Sequence, residues 1–364
     1  MKLQNEIFCL AKEKDTITKA SPKVINKQAM YYKKLDNNYV NCQLCFRRCK
    51  IAPNRRGFCT TRENRDGILY SLVYSQPCAV NIDPIEKEPV FHAYPGCEIL
   101  CIATAGCSMR CNFCHNWQIS QQKPEEVNSI YLQPDEFVKL AKQHKCEGIS
   151  FTYSEPTVFY EYMLDICKLA KQQNILTVVH TCGIINPEPL NELLRYVDSI
   201  TVDLKGFNQK FYSKAVAQEI TLSHILNTIK IIKESGKHLE IVNLVIPKLN
   251  DNFEDIKKMC LWIKQNLGCD VPLHFNRFSP AYKLTNLPTT PLETLEEAHK
   301  IAKETGLNYV FIGNVPGHKY NSTYCPNCKK QLIHRIHFQI LENNIVNGCC
   351  KFCNYKIPGI WEER

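Results

Sequence analysis

Three cysteines lie close together in Cys107-Ser108-Met109-Arg110-Cys111-Asn112-Phe113-Cys114. The C-x3-C-x2-C spacing puts three soft donors on one compact loop. Iron–sulfur clusters are held by thiolates, and full ligation uses four. A set of three leaves one iron of a cubane free of protein ligands, so that iron can take a small molecule. The blander readings are a zinc site completed by His115, or three packed cysteines.

Two other groups carry four cysteines each. Cys42, Cys45, Cys49 and Cys59 follow C-x2-C-x3-C-x9-C among Arg47, Arg48, Arg55 and Arg56. Four thiolates suit zinc or a complete iron–sulfur cluster, and the spacing does not decide between them. Cys325, Cys328, Cys350 and Cys353 form two C-x2-C knuckles. That pattern reads as a zinc ribbon, a closed structural site that folds a module too small for its own core. Its expected hairpin pairs residues 332–340 with 345–346 across Glu342-Asn343-Asn344. The three groups hold eleven of the 21 cysteines. The remaining ten, Cys9 among them, read as small buried hydrophobes.

These side chains need a scaffold, and the middle of the chain supplies one. Apolar, β-branched runs occur at 99–104, 148–153, 175–180, 199–204, 239–246, 272–278 and 309–312. Helical periodicity fills the gaps at 134–144, 158–171, 188–196, 222–234, 253–266 and 291–304. Nearly continuous apolar strands alternating with helices predict an α/β fold with a parallel sheet or barrel. Sites in such folds lie at the carboxyl ends of the strands. The cysteine loop stands there, as do Tyr153-Ser154-Glu155-Pro156, His180-Thr181-Cys182-Gly183, Asp203-Leu204-Lys205, Asn250-Asp251, and His274, Asn276 and Arg277. All are expected on one rim. Three domains follow: a Cys-rich segment at 1–97, a core at 98–318 and a ribbon-like module at 319–364.

Composition narrows the function classes. Hydrophobic residues make up 44% and charged residues 22% of the 364 residues, which is a folded composition. No run of about 18 apolar residues is available to span a membrane. The N-terminal twenty residues lack the apolar stretch of a secretory signal. A reducing, cytoplasmic location follows, where dense cysteine means metal more often than disulfides. The formal charge of +9 falls to roughly +4 once two four-thiolate zinc sites and a three-cysteine cluster are charged as such. Net charge therefore makes a weak case for nucleic acid.

The Cys107 loop, with aromatic Phe113 before its last cysteine, resembles the signature of radical S-adenosylmethionine (SAM) enzymes. The resemblance implies a partial (β/α)6 barrel and a [4Fe–4S] cluster on Cys107, Cys111 and Cys114. It implies reductive cleavage of SAM to methionine and a 5′-deoxyadenosyl radical, with an electron donor such as flavodoxin or ferredoxin. Ser154-Glu155-Pro156 stands where the family has Gly-Gly-Glu. That match rests on Glu155, expected at the SAM amino group, and on Pro156. Asp203-Leu204-Lys205 matches the Asp-x-Lys of pyruvate formate-lyase activating enzymes, which contacts the methionyl group. Val40-Asn41-Cys42-Gln43-Leu44-Cys45, Asp83-Pro84-Ile85-Glu86-Lys87-Glu88-Pro89, Cys114-His115-Asn116-Trp117-Gln118 and Asn314-Val315-Pro316-Gly317-His318 look like AmmeMemoRadiSam system radical SAM enzymes. There His115 departs from the usual glutamine. That likeness implies AMMECR-like or Memo-like partner proteins and leaves the hydrogen donor open. Other readings are a zinc and iron–sulfur scaffold without turnover and an RNA-modifying enzyme.

Overall fold

A computed structural model describes residues 27–216 and 219–361. Cys9 and the N-terminal residues weighed as a targeting signal lie outside the described residues. The chain divides into two compact units, Met1–Asp83 with Glu98–Asp198, and Pro84–Cys97 with Ser199–Arg364.

In the first unit, strands β1 (Ala79–Pro84), β2 (Glu98–Ala103), β3 (Gly148–Phe151) and β4 (Leu176–Thr181) lie side by side. β3 runs parallel to both β2 and β4, with Gly148 opposite Ile99 and Leu176. A Cβ on Gly148 would meet Ile99 Cγ2 at 2.9 Å and Leu176 Cβ at 3.1 Å, so only glycine lets the three backbones approach. Helices α1 (Pro134–Gln143), α2 (Tyr160–Gln172) and α3 (Pro187–Leu193) follow the strands. α1 starts with Pro134, and Glu136 accepts from the Gln133 N–H at 2.7 Å. Its Phe137, Val138 and Ala141 are buried. Leu100, Ile102, Ile149, Phe151 and Val178 are fully buried, each stabilising the unit by about 1.5–3 kcal/mol at most.

Short antiparallel strands precede this sheet. Val40–Cys42 pairs with Tyr32–Lys34 and Lys50–Ile51, and Arg62–Arg65 pairs with Arg55–Arg56 and Ile68–Ser71. They carry the first cysteine group. In Arg62–Arg65 the buried positions are Arg62 and Asn64. Arg62 donates to Glu161 at 2.5 Å and to the Met30 carbonyl at 3.0 Å. Two buried opposite charges can coexist there because each satisfies the other.

In the second unit, β5 (Ser199–Asp203), β6 (His238–Val245), β7 (Leu273–Arg277) and β8 (Val310–Gly313) run parallel in that order. Between them lie α4 (Leu222–Glu234), α5 (Phe253–Leu267) and α6 (Leu292–Thr305). Thr221 and Asn252 cap α4 and α5 by accepting from His224 N and Asp255 N.

One expected rim residue faces elsewhere. His274 is fully buried, and its Nε2 meets Glu240 at 2.6 Å. The same carboxylate accepts from the N–H groups of Phe91 and His92 and meets His238 Nε2. Burial pushes Glu240 up, but the His238 and His274 hydrogen bonds outweigh it and hold the carboxyl well below its usual range. His274 is thus a packing residue, and it stacks on Phe311.

The C-terminal hairpin also departs from expectation. β9 (Gln331–Ile336) pairs with β10 (Gln339–Asn343), so the turn is His337-Phe338, with His337 at φ 60°. A two-residue hairpin needs such positive φ. Glu342-Asn343-Asn344 forms a corner instead. Asn343 Oδ1 accepts from Ile345 N, and Asn344 N donates to Leu332 O. Cys325, Leu332, Ile333, Cys350 and Ile357 share one apolar cluster with Phe91, Tyr309 and Phe311. Arg335 is buried beside Glu86 and donates to the Phe91 carbonyl.

Candidate metal centres and active site

The Cys107 loop begins just beyond β2 and closes on itself, because Gly106 N donates to the Ile119 carbonyl at 2.9 Å. Gly106 has φ +85°, and a Cβ there would meet Thr61 Cγ2 at 2.4 Å and the Cys59 carbonyl at 2.7 Å. Glycine satisfies both constraints. Cys107 and Cys111 are buried and Cys114 half-buried. Met109 N donates to Cys107 Sγ, and Ser120 Oγ lies 3.3 Å from Cys114 Sγ. Arg110 clamps the loop by donating to the carbonyls of Cys107, Met109 and Phe58. Burial, then the nearby Glu155 charge, pushes the Cys107 thiol up to about 12. A thiol of that kind ionises when a metal binds it. Three cysteines on one closed loop fit three irons of a cubane. His115 is exposed.

Glu155 ends the turn after β3. Its carboxylate accepts from Thr157 N, Thr157 Oγ1, Thr181 Oγ1 and Cys182 N. Four donors match the roughly four lone-pair sites of a carboxylate, so Glu155 ties the end of β3 to the end of β4. Asn116 Nδ2 donates to the Tyr153 carbonyl, and Tyr153 Oη donates to Asp83. These bonds hold the loop's far end and β1 to the same strand end. Nothing in the sequence spacing announces Thr157 and Thr181 as partners of Glu155, although a hydroxyl two residues after a turn carboxylate is a local signal.

In the second unit, Lys205 Nζ and Asp203 Oδ2 are 2.7 Å apart at the end of β5. Both side chains are largely buried, at 11% and 21% exposure. Asn243 Nδ2 donates to Leu204 O and Asn250 Nδ2 to Lys205 O, fixing the turn from β6 and from the loop beyond it. The sequence marked Asn250 as a strand-end polar group but not as the brace of this turn.

The first cysteine group lines one small pocket, with Arg47, Arg62 and Ser108 also in its wall. Burial raises the Cys42 thiol and takes Cys45 up to about 12. Arg47 Nε donates to the Ser108 carbonyl at 2.9 Å, and Cys45 Sγ lies 3.9 Å from Ser108 Oγ. The guanidinium groups of Arg47 and Arg110 both sit over the Phe58 ring, at 3.4 and 4.3 Å.

The last group converges more tightly. All four ligand atoms of Cys325, Cys328, Cys350 and Cys353 lie within 4.8 Å of one another, the one such group among the described residues. Cys325 and Cys353 sulfurs are 3.6 Å apart, and those of Cys328 and Cys350 3.7 Å. A tetrahedron with metal–sulfur bonds of about 2.3 Å has an edge of about 3.8 Å. Cys349 is not in the set. Of the other cysteines within the described residues, Cys78, Cys97, Cys101, Cys146, Cys167 and Cys260 are buried, whereas Cys182, Cys269 and Cys349 are half-buried.

Comparison with known proteins adds kinship. The Radical SAM superfamily profile matches residues 101–263. Over 333 residues the chain is 45% identical to Uncharacterized protein MJ0808 of Methanocaldococcus jannaschii, covering 91% of this chain and 98% of that one. It is 24% identical over 212 residues to the pyruvate formate-lyase-activating enzyme of Clostridium pasteurianum, covering 55% of this chain and 87% of that one. A crystallised domain of pyruvate-formate lyase-activating enzyme from Bacteroides vulgatus superposes on 46% of this chain and 99% of its own, with 22% identity and a TM-score of 0.40.

Proposed function

We propose that this chain, which carries a radical SAM domain over residues 101–263 and is 45% identical over 333 residues to the M. jannaschii protein, cleaves SAM reductively and uses the 5′-deoxyadenosyl radical to abstract hydrogen. The observation that carries this reading is the closed loop bearing Cys107, Cys111 and Cys114. When bound, a [4Fe–4S] cluster there supplies one low-potential electron to SAM.

The chain's own residues prepare that site. Gly106 and Arg110 fix the loop that carries the three cysteines. Glu155 is a positioning residue, because its carboxylate is already filled by Thr157, Thr181 and Cys182. An ammonium group from SAM reaches it only by displacing one of those donors. Asp203 and Lys205 recognise the methionyl end, Asp203 taking the ammonium and Lys205 the carboxylate. A ligand opens their mutual ion pair by offering each a new partner. Cys325, Cys328, Cys350 and Cys353 hold zinc, as their tetrahedral spacing supports.

The activating-enzyme relatives suggest the class of hydrogen donor, and the sequence resemblance suggests the other partners. The hydrogen donor is a protein or small molecule, as for an activating enzyme, and electrons come from a flavodoxin- or ferredoxin-like protein. AMMECR-like or Memo-like proteins are the proposed partners, in the cytoplasm. No helix among the described residues is long and apolar enough to cross a membrane.

The test is anaerobic reduction of the reconstituted protein with SAM, reading 5′-deoxyadenosine and methionine. The parent should form both, and Cys111→Ala should form neither. Equal product from Cys111→Ala would overturn the assignment. A charge-assisted hydrogen bond contributes about 1.5–3 kcal/mol, so Lys205→Ala should weaken SAM binding about 10- to 150-fold with iron content unchanged. Parental affinity in Lys205→Ala would return the pair to an ordinary strand end.

A further inference from the structure

The two cysteine quartets are built for different guests. In the C-terminal quartet the sulfurs fall on the edges of a single-ion tetrahedron. In the N-terminal quartet they do not; no three of its sulfurs lie within 4.8 Å of one another, yet all four cysteines line one pocket. A cubane keeps its terminal thiolates further apart than one ion does, because iron and sulfide atoms lie between them. From this we infer that Cys42, Cys45, Cys49 and Cys59 hold a complete, four-thiolate [4Fe–4S] cluster, separate from the one on the Cys107 loop.

Three further features suit that guest. Gly57 keeps the space open, since a Cβ there would sit 3.9 Å from both Cys49 Sγ and Cys59 Sγ and 3.2 Å from Ile51. The wall carries Arg47, and beside it Arg62, which is already paired with Glu161. A cubane with four thiolates has a net charge of about −2 in its oxidised state, so the Arg47 guanidinium favours it over neutral packing. Thr61 Oγ1 donates to Cys59 Sγ at 3.2 Å. Hydrogen bonds to ligand sulfur are one of the levers that set a cluster's potential.

The position of the cavity gives it a use. Ser108, the residue after Cys107, is part of its wall, and Arg47 grips the Ser108 carbonyl. A second sulfur site therefore backs directly onto the Cys107 loop. Bound there, a cluster accepts one electron from a low-potential one-electron protein donor and releases it again, with no bond made or broken. The assignment rests on the quartet's own geometry, so its failure leaves the reading of the Cys107 loop intact.

The experiment is metal stoichiometry with Mössbauer and EPR spectroscopy on the full chain, reconstituted anaerobically with iron and sulfide. The parent should hold about eight irons per chain and one zinc, as expected for two cubanes and a ribbon. Cys107→Ala/Cys111→Ala/Cys114→Ala should keep about four irons, in a cluster whose EPR signal ignores SAM. Cys42→Ser/Cys45→Ser should also keep about four, in a cluster whose signal shifts with SAM. The triple variant retains the whole quartet, so it stays informative if Cys42→Ser/Cys45→Ser fails to fold. Two zincs and four irons in the parent, or no iron in the triple variant, would overturn the assignment.

Discussion

The Cys107 loop and the C-terminal hairpin both gather cysteines, but by opposite means. The hairpin gathers its own. Each C-x2-C knuckle sits at a turn, and short strands within residues 323–350 bring the two knuckles face to face. The Cys107 loop depends on distant residues. Cys59 and Thr61 crowd Gly106, Phe58 receives Arg110, and the Tyr153 carbonyl receives Asn116. A single-ion site can be specified by local spacing, whereas a loop that must leave one metal position open needs an outside frame to keep its shape.

The sharpest way to break this contrast is to remove the ribbon's metal. Chelation should abolish hydrogen-exchange protection across the hairpin and loosen Phe91, Tyr309 and Phe311, which share its core. The Cys107 loop should keep its iron absorbance. Loss of that absorbance on removing zinc alone would show that the two sites are not independent.

A smaller effect probes the other side. Gly106→Ala places a methyl against Thr61 and the Cys59 carbonyl at a positive φ, at a cost of about 1–3 kcal/mol. Iron loading of the loop should fall several-fold while zinc stays at one per chain, read by metal analysis. Parental loading would mean that the loop sets its own shape, as the ribbon does.

The mildest probe is pH. His92 lies under the ribbon, against Tyr309 and Trp361, with Nδ1 3.0 Å from the Pro358 carbonyl. Burial lowers its pKa to about 3. The unfolded chain binds this proton near pH 6.5 and the folded chain does not. Stability therefore falls as pH drops from about 6.5 toward 3, by at most about 1.4 kcal/mol per pH unit. Acid should loosen the ribbon's seat first, and His92→Gln should flatten the slope, as followed by denaturant unfolding from pH 7 to 5. An unchanged slope in that variant would assign the acid sensitivity elsewhere.

The parallel strands and their helices were legible because they are long, apolar and strongly periodic. The 222–234 helix has the expected ends, and the strand runs shift by only one or two residues. The C-terminal cysteine group was legible because its spacing carries its chemistry, and its four sulfurs converge. What escaped was polar burial. In Arg62-Glu63-Asn64-Arg65 the polar Arg62 and Asn64 face inward, and the partner that neutralises Arg62 is Glu161, a residue 99 positions away. His274 looked like a rim residue for the same reason: Glu240, which claims it, lies on a neighbouring strand. Glu155 stands at a strand end as expected, but the hydroxyls that fill its carboxylate come from Thr157 and from Thr181 at the end of the next strand, a meeting only the fold decides. The hairpin turn was misplaced because Asn343-Asn344 has turn chemistry and His337-Phe338 does not, although the latter makes the turn.

Arg335 has a consequence for how the chain is made. Its guanidinium donates to the carbonyl of Phe91, 244 residues earlier. A ribosome adds about 5–20 residues per second, so Phe91 waits about 12 to 50 s after its own synthesis for the side chain that completes its surroundings. During that interval Phe91 and its neighbours are an unfinished apolar surface, and a stretch made 244 residues later is the one that closes it.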